Sequence, residues 1–168
     1  MTEAPSKTKI LLAWLAGFLV VAFIIVGAIE RGISAEEFER LWRNVVDRPG
    51  GPMTFRFVLQ PVMAAIAAFR DGVRDGRRGR SPYFWTMITS RSKGVGRLRE
   101  GFIATGQIIL LGLAMDTTYQ VIVLKAFYPA EAAIVALLLA FLPYLLLRGP
   151  IARFTRWHRH ETPADHVR

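Results

Sequence analysis

Asp116 is the residue with the clearest chemical potential, because it is the only charge in the apolar run 102–124. A carboxylate near the centre of a bilayer costs roughly 2.5–3.5 kcal/mol on insertion scales, so it usually faces other helices and has a partner. On a helix, Tyr119 and Gln120 share the face of Asp116. Such a group either fastens two helices together or binds a proton or a cation.

The best partner for Asp116 is Arg56, which begins a second apolar stretch that also contains Gln60. If the two segments cross the membrane in opposite directions, Arg56 reaches the depth of Asp116, about 12 Å below the outer surface. We therefore predict an Arg56–Asp116 ion pair whose hydrogen bonds are completed by neighbouring amide or phenol groups. The predicted intramembrane polar cluster comprises Arg56, Gln60, Asp116, Tyr119 and Gln120.

Other reactive chemistry has little support. The chain has no H-E-x-x-H, G-x-S-x-G or P-loop motif and no catalytic carboxylate pair, so we predict that it is not an enzyme. It has no cysteine, which excludes disulfides, iron–sulfur clusters and thiolate metal sites. His158, His160 and His166 lie near the C-terminus without a shell of carboxylates, so we predict neither a metal site nor a cofactor.

The polar cluster is placed by long apolar segments, which indicate an all-α membrane protein. Residues 10–29 carry no charge, and a spanning helix needs about 20 residues. With 102–124 and 129–147 they predict three spans, which must be helical because lipid offers no hydrogen-bond partner. The 53–69 segment is shorter and contains a proline, so we predict a short fourth span, with a re-entrant segment as the alternative. The 10–29 run is too long for a signal-peptide core and lacks a cleavage motif, so we interpret it as an uncleaved anchor.

Residues 34–46 predict an amphipathic helix between the first two spans. Phe38, Leu41 and Trp42 lie on one stripe, while acidic and basic residues lie on the other face. Such a helix most simply lies in the membrane interface with Trp42 at headgroup depth. Docking to a partner protein is the alternative.

Charge predicts the orientation of the spans. The 70–101 loop carries a net charge of +6 and the 148–168 tail +3, whereas residues 30–52 carry −1. Cytoplasmic loops are enriched in Lys and Arg, so a four-span arrangement with both termini in the cytoplasm fits best; three spans fit less well. We expect the basic residues to contact anionic lipid headgroups rather than nucleic acid. The candidates are Arg74, Arg77, Arg78, Arg80, Arg153 and Arg156.

Several short motifs carry a resemblance. They are RFVLQP from Arg56, AAFRDG from Ala67, GRSPYFW from Gly79, YQVIVL from Tyr119, FYP from Phe127 and PYLLLRGP from Pro143. Together they resemble a family of small uncharacterised bacterial integral-membrane proteins over residues 56–153. The resemblance implies a bacterial inner membrane and supplies no activity.

These patterns predict one membrane domain over residues 1–168. Its predicted function is that of a non-catalytic accessory or scaffold component of the inner membrane, which packs against itself or a larger complex. The alternative is a small proton- or cation-coupled transporter or channel that uses Asp116.

Overall fold

The computed structural model describes residues 6–32, 34–47, 54–79 and 91–160, and all the regular secondary structure in them is helical. The helices are α1 (Lys7–Arg31), α2 (Ala35–Asp47), α3 (Arg56–Arg77), α4 (Arg91–Tyr119) and α5 (Pro129–His160), and a short π-helical segment (Gln120–Leu124) continues α4.

Among the described residues, three helical segments are long and apolar enough to cross a membrane, namely Lys7–Arg31, Gly94–Leu124 and Pro129–His158. α3 is not among them, although it has 22 residues. Its second half is strongly charged, from Arg70 to Arg77, which lowers its hydropathy. The structure therefore has the architecture of a helical membrane protein with three apolar helices and a fourth, more polar one packed among them.

Contacts between helices define their directions. Arg56 of α3 lies against Asp116 of α4, whereas Asp75 lies against Arg97, so these two helices are antiparallel. A Cβ added to Gly72 would lie 2.9 Å from the carbonyl oxygen of Arg148, and further along both helices Gly76 meets α5 at Ala152, so α3 and α5 run parallel. The contacts of α1 run from Gly106 on α4 to the start of α5 at Ala130, so α1 runs parallel to α4. The four long helices thus alternate in direction along the chain.

Small side chains fill the centre of the bundle. Ala132, Ala136 and Ala140 of α5 are buried, and Ala136 packs against Gly112 of α4, so small residues form the contact between these helices. The rest of the core comes from all four helices and includes Ala16, Ala64, Ile109 and Tyr144. Close approach through small residues is the usual way in which helices associate in lipid.

α3 differs from the predicted 53–69 segment. It is one continuous helix that passes through Pro61 and ends at Arg77, so residues 70–77 are helical rather than part of a loop. Gly72 and Gly76 look like breaks in the sequence, but here they let α3 approach α5 closely. At the other end of the predicted loop, α4 begins at Arg91 rather than at residue 102.

α5 also continues beyond its predicted end. The span was predicted to end at residue 147 and to be followed by a tail, yet the helix runs through Pro143 and Pro150 to His160. Each proline removes one backbone donor, but packing of α5 against α3 at Ile151 and Thr155 continues on the far side of Pro150. The first part of the predicted tail is therefore helical, and residues 161–168 lie outside the described ones.

Candidate functional site

The predicted ion pair is present where α3 begins and α4 ends. The Nη1 of Arg56 lies 2.6 Å from the Oδ1 of Asp116, and both side chains are almost completely buried, at 1% and 0% exposure. The contact is a close charge pair whose N–H direction does not meet hydrogen-bond geometry. A pair this buried is held by its own attraction, because water contributes no screening.

Gln120 forms hydrogen bonds both to the Asp116 carboxylate and to the segment that connects α4 with α5. Its Nε2 donates to the Oδ2 of Asp116 over 2.7 Å, and its Oε1 accepts from the backbone N–H of Tyr128 over 2.6 Å. Gln120 begins the π-helical segment, and Lys125, the residue directly after that segment, has a left-handed conformation with φ of 50°. The side chain of one residue thus connects the ion pair to the hairpin between α4 and α5.

Aromatic rings surround the guanidinium of Arg56. Its Cζ lies 5.1 Å from the ring centroids of Tyr119 and Phe57. Cations are attracted to aromatic faces within about 6 Å, most strongly where water is excluded. Tyr119 was one of three residues predicted to supply hydrogen bonds to the pair; the contact found is that of its ring with the guanidinium. Phe57 was not expected, although its position directly after Arg56 could have indicated it.

Gln60 belongs to the same helix face but is not hydrogen-bonded like its neighbours. It is 1% exposed, and within the described residues neither its Oε1 nor its Nε2 has a hydrogen-bond partner. A Cβ added to Gly112 would lie 3.2 Å from that Oε1, so the glycine leaves room for the amide. The prediction that Gln60 lies in the cluster holds for its position. Gln60, Tyr119 or Gln120 was predicted to complete the hydrogen bonds of the pair, and it is Gln120 that does so.

A second charged cluster, which sequence reasoning missed, lies at the other end of the bundle. Arg148 of α5 donates from Nε to Asp75 over 2.9 Å, from Nη2 to Glu100 over 3.0 Å and from Nη1 to the hydroxyl of Tyr144 over 2.6 Å. Arg97 of α4 lies 3.3 Å from Asp75 and from Glu100. Asp75 and Arg148 are each 3% exposed. Three helices are therefore joined by one network of charges.

Tyr144 extends this network towards the centre of the bundle. Its hydroxyl donates to the Oδ2 of Asp71 over 2.7 Å, and the Tyr144 side chain is fully buried. The signal in the sequence was a spacing of four residues within each pair. It places Asp71 and Asp75 on one face of α3, and Tyr144 and Arg148 on one face of α5. A basic segment was instead interpreted as a solvated loop.

The predicted headgroup arginines mostly lie on the surface. Arg74, Arg77, Arg78 and Arg153 are exposed, whereas Arg156 is half-buried. The Nη1 of Arg74 lies 3.9 Å from Asp71. Arg80 lies outside the described residues. Where they are described, these side chains surround the end of the bundle that holds the Arg148 network.

The described residues contain no group of three or more His, Cys, Asp and Glu side chains arranged to hold a metal ion. Of the three histidines considered in the sequence, only the His158 side chain is described; it packs against Phe154 with 4.8 Å between ring centroids.

No protein-family model matches the chain, and comparisons with curated proteins and with solved structures find no significant match. Fold and site alone therefore define the class: in its described part the protein is a helical bundle with three helices able to cross a membrane and buried ion pairs at two levels.

Proposed function

We propose that this chain is a four-span protein of the bacterial inner membrane that acts as a non-catalytic accessory or scaffold component, with both termini in the cytoplasm. The observation that carries the proposal is the use of Asp116. One of its oxygens contacts Arg56 and the other accepts from Gln120, so the carboxylate is engaged in holding α3, α4 and the hairpin together. A carboxylate used in this way is a poor carrier of substrate cations.

The pairing of charges at two levels supports α3 as the fourth span. Arg56 and Asp75 are nineteen residues apart on α3, and their partners Asp116 and Arg97 are nineteen residues apart on α4. Nineteen residues of helix rise about 28 Å, close to the roughly 30 Å hydrocarbon core of a bilayer. The charges of α3 are thus paired with α4 at two levels separated by about one membrane thickness.

The position of α2 supports an interfacial helix. Its polar side contacts the bundle, since Asn44 donates to the buried Glu131 over 3.1 Å and the Cζ of Arg40 lies 4.3 Å from the ring centroid of Tyr128. The opposite stripe of α2 is exposed and apolar; it consists of Phe38, Trp42 and Val46. A polar side turned inwards and an apolar side turned outwards suit contact with lipid, or with a membrane partner.

A small proton- or cation-coupled transporter is the second candidate, and Gln60 favours it. A buried amide without hydrogen bonds lowers stability, and a role in binding is one reason for a protein to retain it. This amide lies one helical turn from the Arg56–Asp116 pair. A transporter would require Asp116 to exchange its partner during the transport cycle.

The test combines mass and flux measurements on the purified protein in mild detergent and in liposomes. We expect an assembly heavier than the 18.9 kDa chain and no proton flux that depends on Asp116. The variant Arg56→Gln/Asp116→Asn removes both charges, and Thr118→Ala, an exposed site on the same helix, is the control. A monomer whose proton flux is abolished by the double variant but retained in Thr118→Ala would overturn the scaffold proposal and support the transporter.

A further inference from the structure

An apolar groove lies between the C-terminal halves of α3 and α5. Its volume is about 900 Å³. Phe69 and Val73 of α3 form one wall, Ile151 and Phe154 of α5 form the other, and Arg77 and His158 lie at its far end. Phe69 and Phe154 are each 59% exposed, so the groove opens to the surroundings of the bundle.

The depth of the groove follows from α1. If its uncharged run 10–29 marks the hydrocarbon layer, the contact of Ala13 with Gly106 places the inner boundary near residue 103 of α4. The antiparallel pairing of α4 with α3 then places Phe69 at that boundary. Arg77 lies eight residues further, about 12 Å beyond it. The groove therefore extends from the edge of the acyl chains through the headgroup region.

Side-chain direction brings the basic end of the groove back towards the membrane. Side chains on a helix tilt towards its N-terminus, which for α3 is the membrane side. The long stem of Arg77 can therefore lie along Val73 while its guanidinium reaches the phosphate level. Arg70 and Arg74, both exposed on the same helix, add positive charge near the opening.

We propose that this groove is a binding site for one anionic glycerophospholipid, with an acyl chain against Phe69 and the phosphate at Arg77. Apolar walls at the membrane end and basic side chains at the headgroup end match the two parts of such a lipid. Basic pockets between helices on the cytoplasmic side commonly bind anionic headgroups. The site rests on the membrane placement in the proposed function and adds selectivity for lipid charge.

The experiment measures quenching of a single tryptophan by brominated lipids. The four native tryptophans are changed to phenylalanine and Phe69→Trp is introduced at the membrane end of the groove. The protein is reconstituted in phosphatidylcholine with the same mole fraction of either brominated phosphatidylglycerol or brominated phosphatidylcholine. We expect the anionic lipid to bind about fivefold more strongly, which corresponds to one basic contact.

Two matched variants locate the cause of the preference. Arg77→Gln should remove most of it, whereas Arg99→Gln should leave it unchanged, because Arg99 is exposed on α4 beyond the same boundary and does not line the groove. Equal quenching by both lipids would overturn the lipid site and leave the membrane placement intact. Absence of quenching by either lipid would overturn the placement as well. If quenching rises when the protein is diluted with lipid, a second copy of the chain fills the groove instead.

Discussion

Asp116 and Arg56 are unequal partners, because only one of them can lose its charge. A buried carboxylate without its partner can take up a proton, whereas a guanidinium stays charged at any accessible pH. Removing one member of a buried pair typically costs about 3–5 kcal/mol, mostly because the other charge is left alone. The two single substitutions should therefore differ in severity.

We predict that Asp116→Asn lowers the free energy of unfolding by about 3–5 kcal/mol and that Arg56→Gln lowers it by less. The double variant should be more stable than Asp116→Asn alone. Unfolding by SDS from mild detergent micelles measures all three, and Gln107→Leu, at an exposed site on α4, should change stability by less than about 0.5 kcal/mol. If Arg56→Gln were the most damaging of the three variants, the buried guanidinium would not be the dominant uncompensated charge.

The sequence predicts the Arg56–Asp116 pair but not the network around Arg148, and the reason is physical. Asp116 stands out because apolar residues precede and follow it in the sequence, which indicates that it needs a partner. The expected depth in the membrane is then enough to select Arg56. Asp75 and Arg97 stand among many other charges, where burial cannot be recognised without the third helix that covers them. Orphaned Gln60 could not be foreseen either, since its environment depends on the missing Cβ of Gly112.

At the level of helices, α3 is held by close approach to α5 rather than by large apolar side chains. A Cβ added to Gly76 would lie 2.6 Å from the Cβ of Thr155 and 2.7 Å from the carbonyl oxygen of Ala152. Two glycines in a charged segment are typical of a loop, and only packing against another helix gives them a different role. This is why the extension of α3 to Arg77 was not predicted.

Gly76→Ala should therefore push α3 away from α5. We expect a loss of about 1–3 kcal/mol in the free energy of unfolding, as for other overpacked positions. Gly96→Ala on α4 is the matched control, because a Cβ there has nothing within 4 Å. The control should be neutral or stabilising by up to about 1 kcal/mol, since alanine favours helix. SDS titration of both variants decides the matter, and equal stabilities would contradict a tight α3–α5 contact.

For the whole molecule, hydropathy and charge pairing give different numbers of membrane crossings, and the difference lies in α3. Hydropathy alone identifies three spans, because it averages over the charges of α3 without regard to their partners. Paired charges are less costly in a membrane than isolated ones. Arg56 and Asp75, near the two ends of α3, are both paired with charges of α4. The alternating directions of the four long helices are the arrangement that four consecutive crossings produce.

The absence of native cysteines makes this topology directly measurable. Single cysteines are introduced at three exposed positions: Thr8 before α1 enters the apolar run, Glu36 on α2, and Arg78 after α3. Four crossings with both termini in the cytoplasm require that a membrane-impermeant maleimide added to intact spheroplasts labels Glu36→Cys alone, and that all three sites react after the membrane is opened. With three crossings, α2 and the end of α3 share one side, so Glu36→Cys and Arg78→Cys would be labelled together or protected together, and Thr8→Cys would take the opposite state. Labelling that separates residue 36 from both residue 8 and residue 78 is therefore compatible with α3 as a span and incompatible with the three-span arrangement, whatever the orientation of the whole protein.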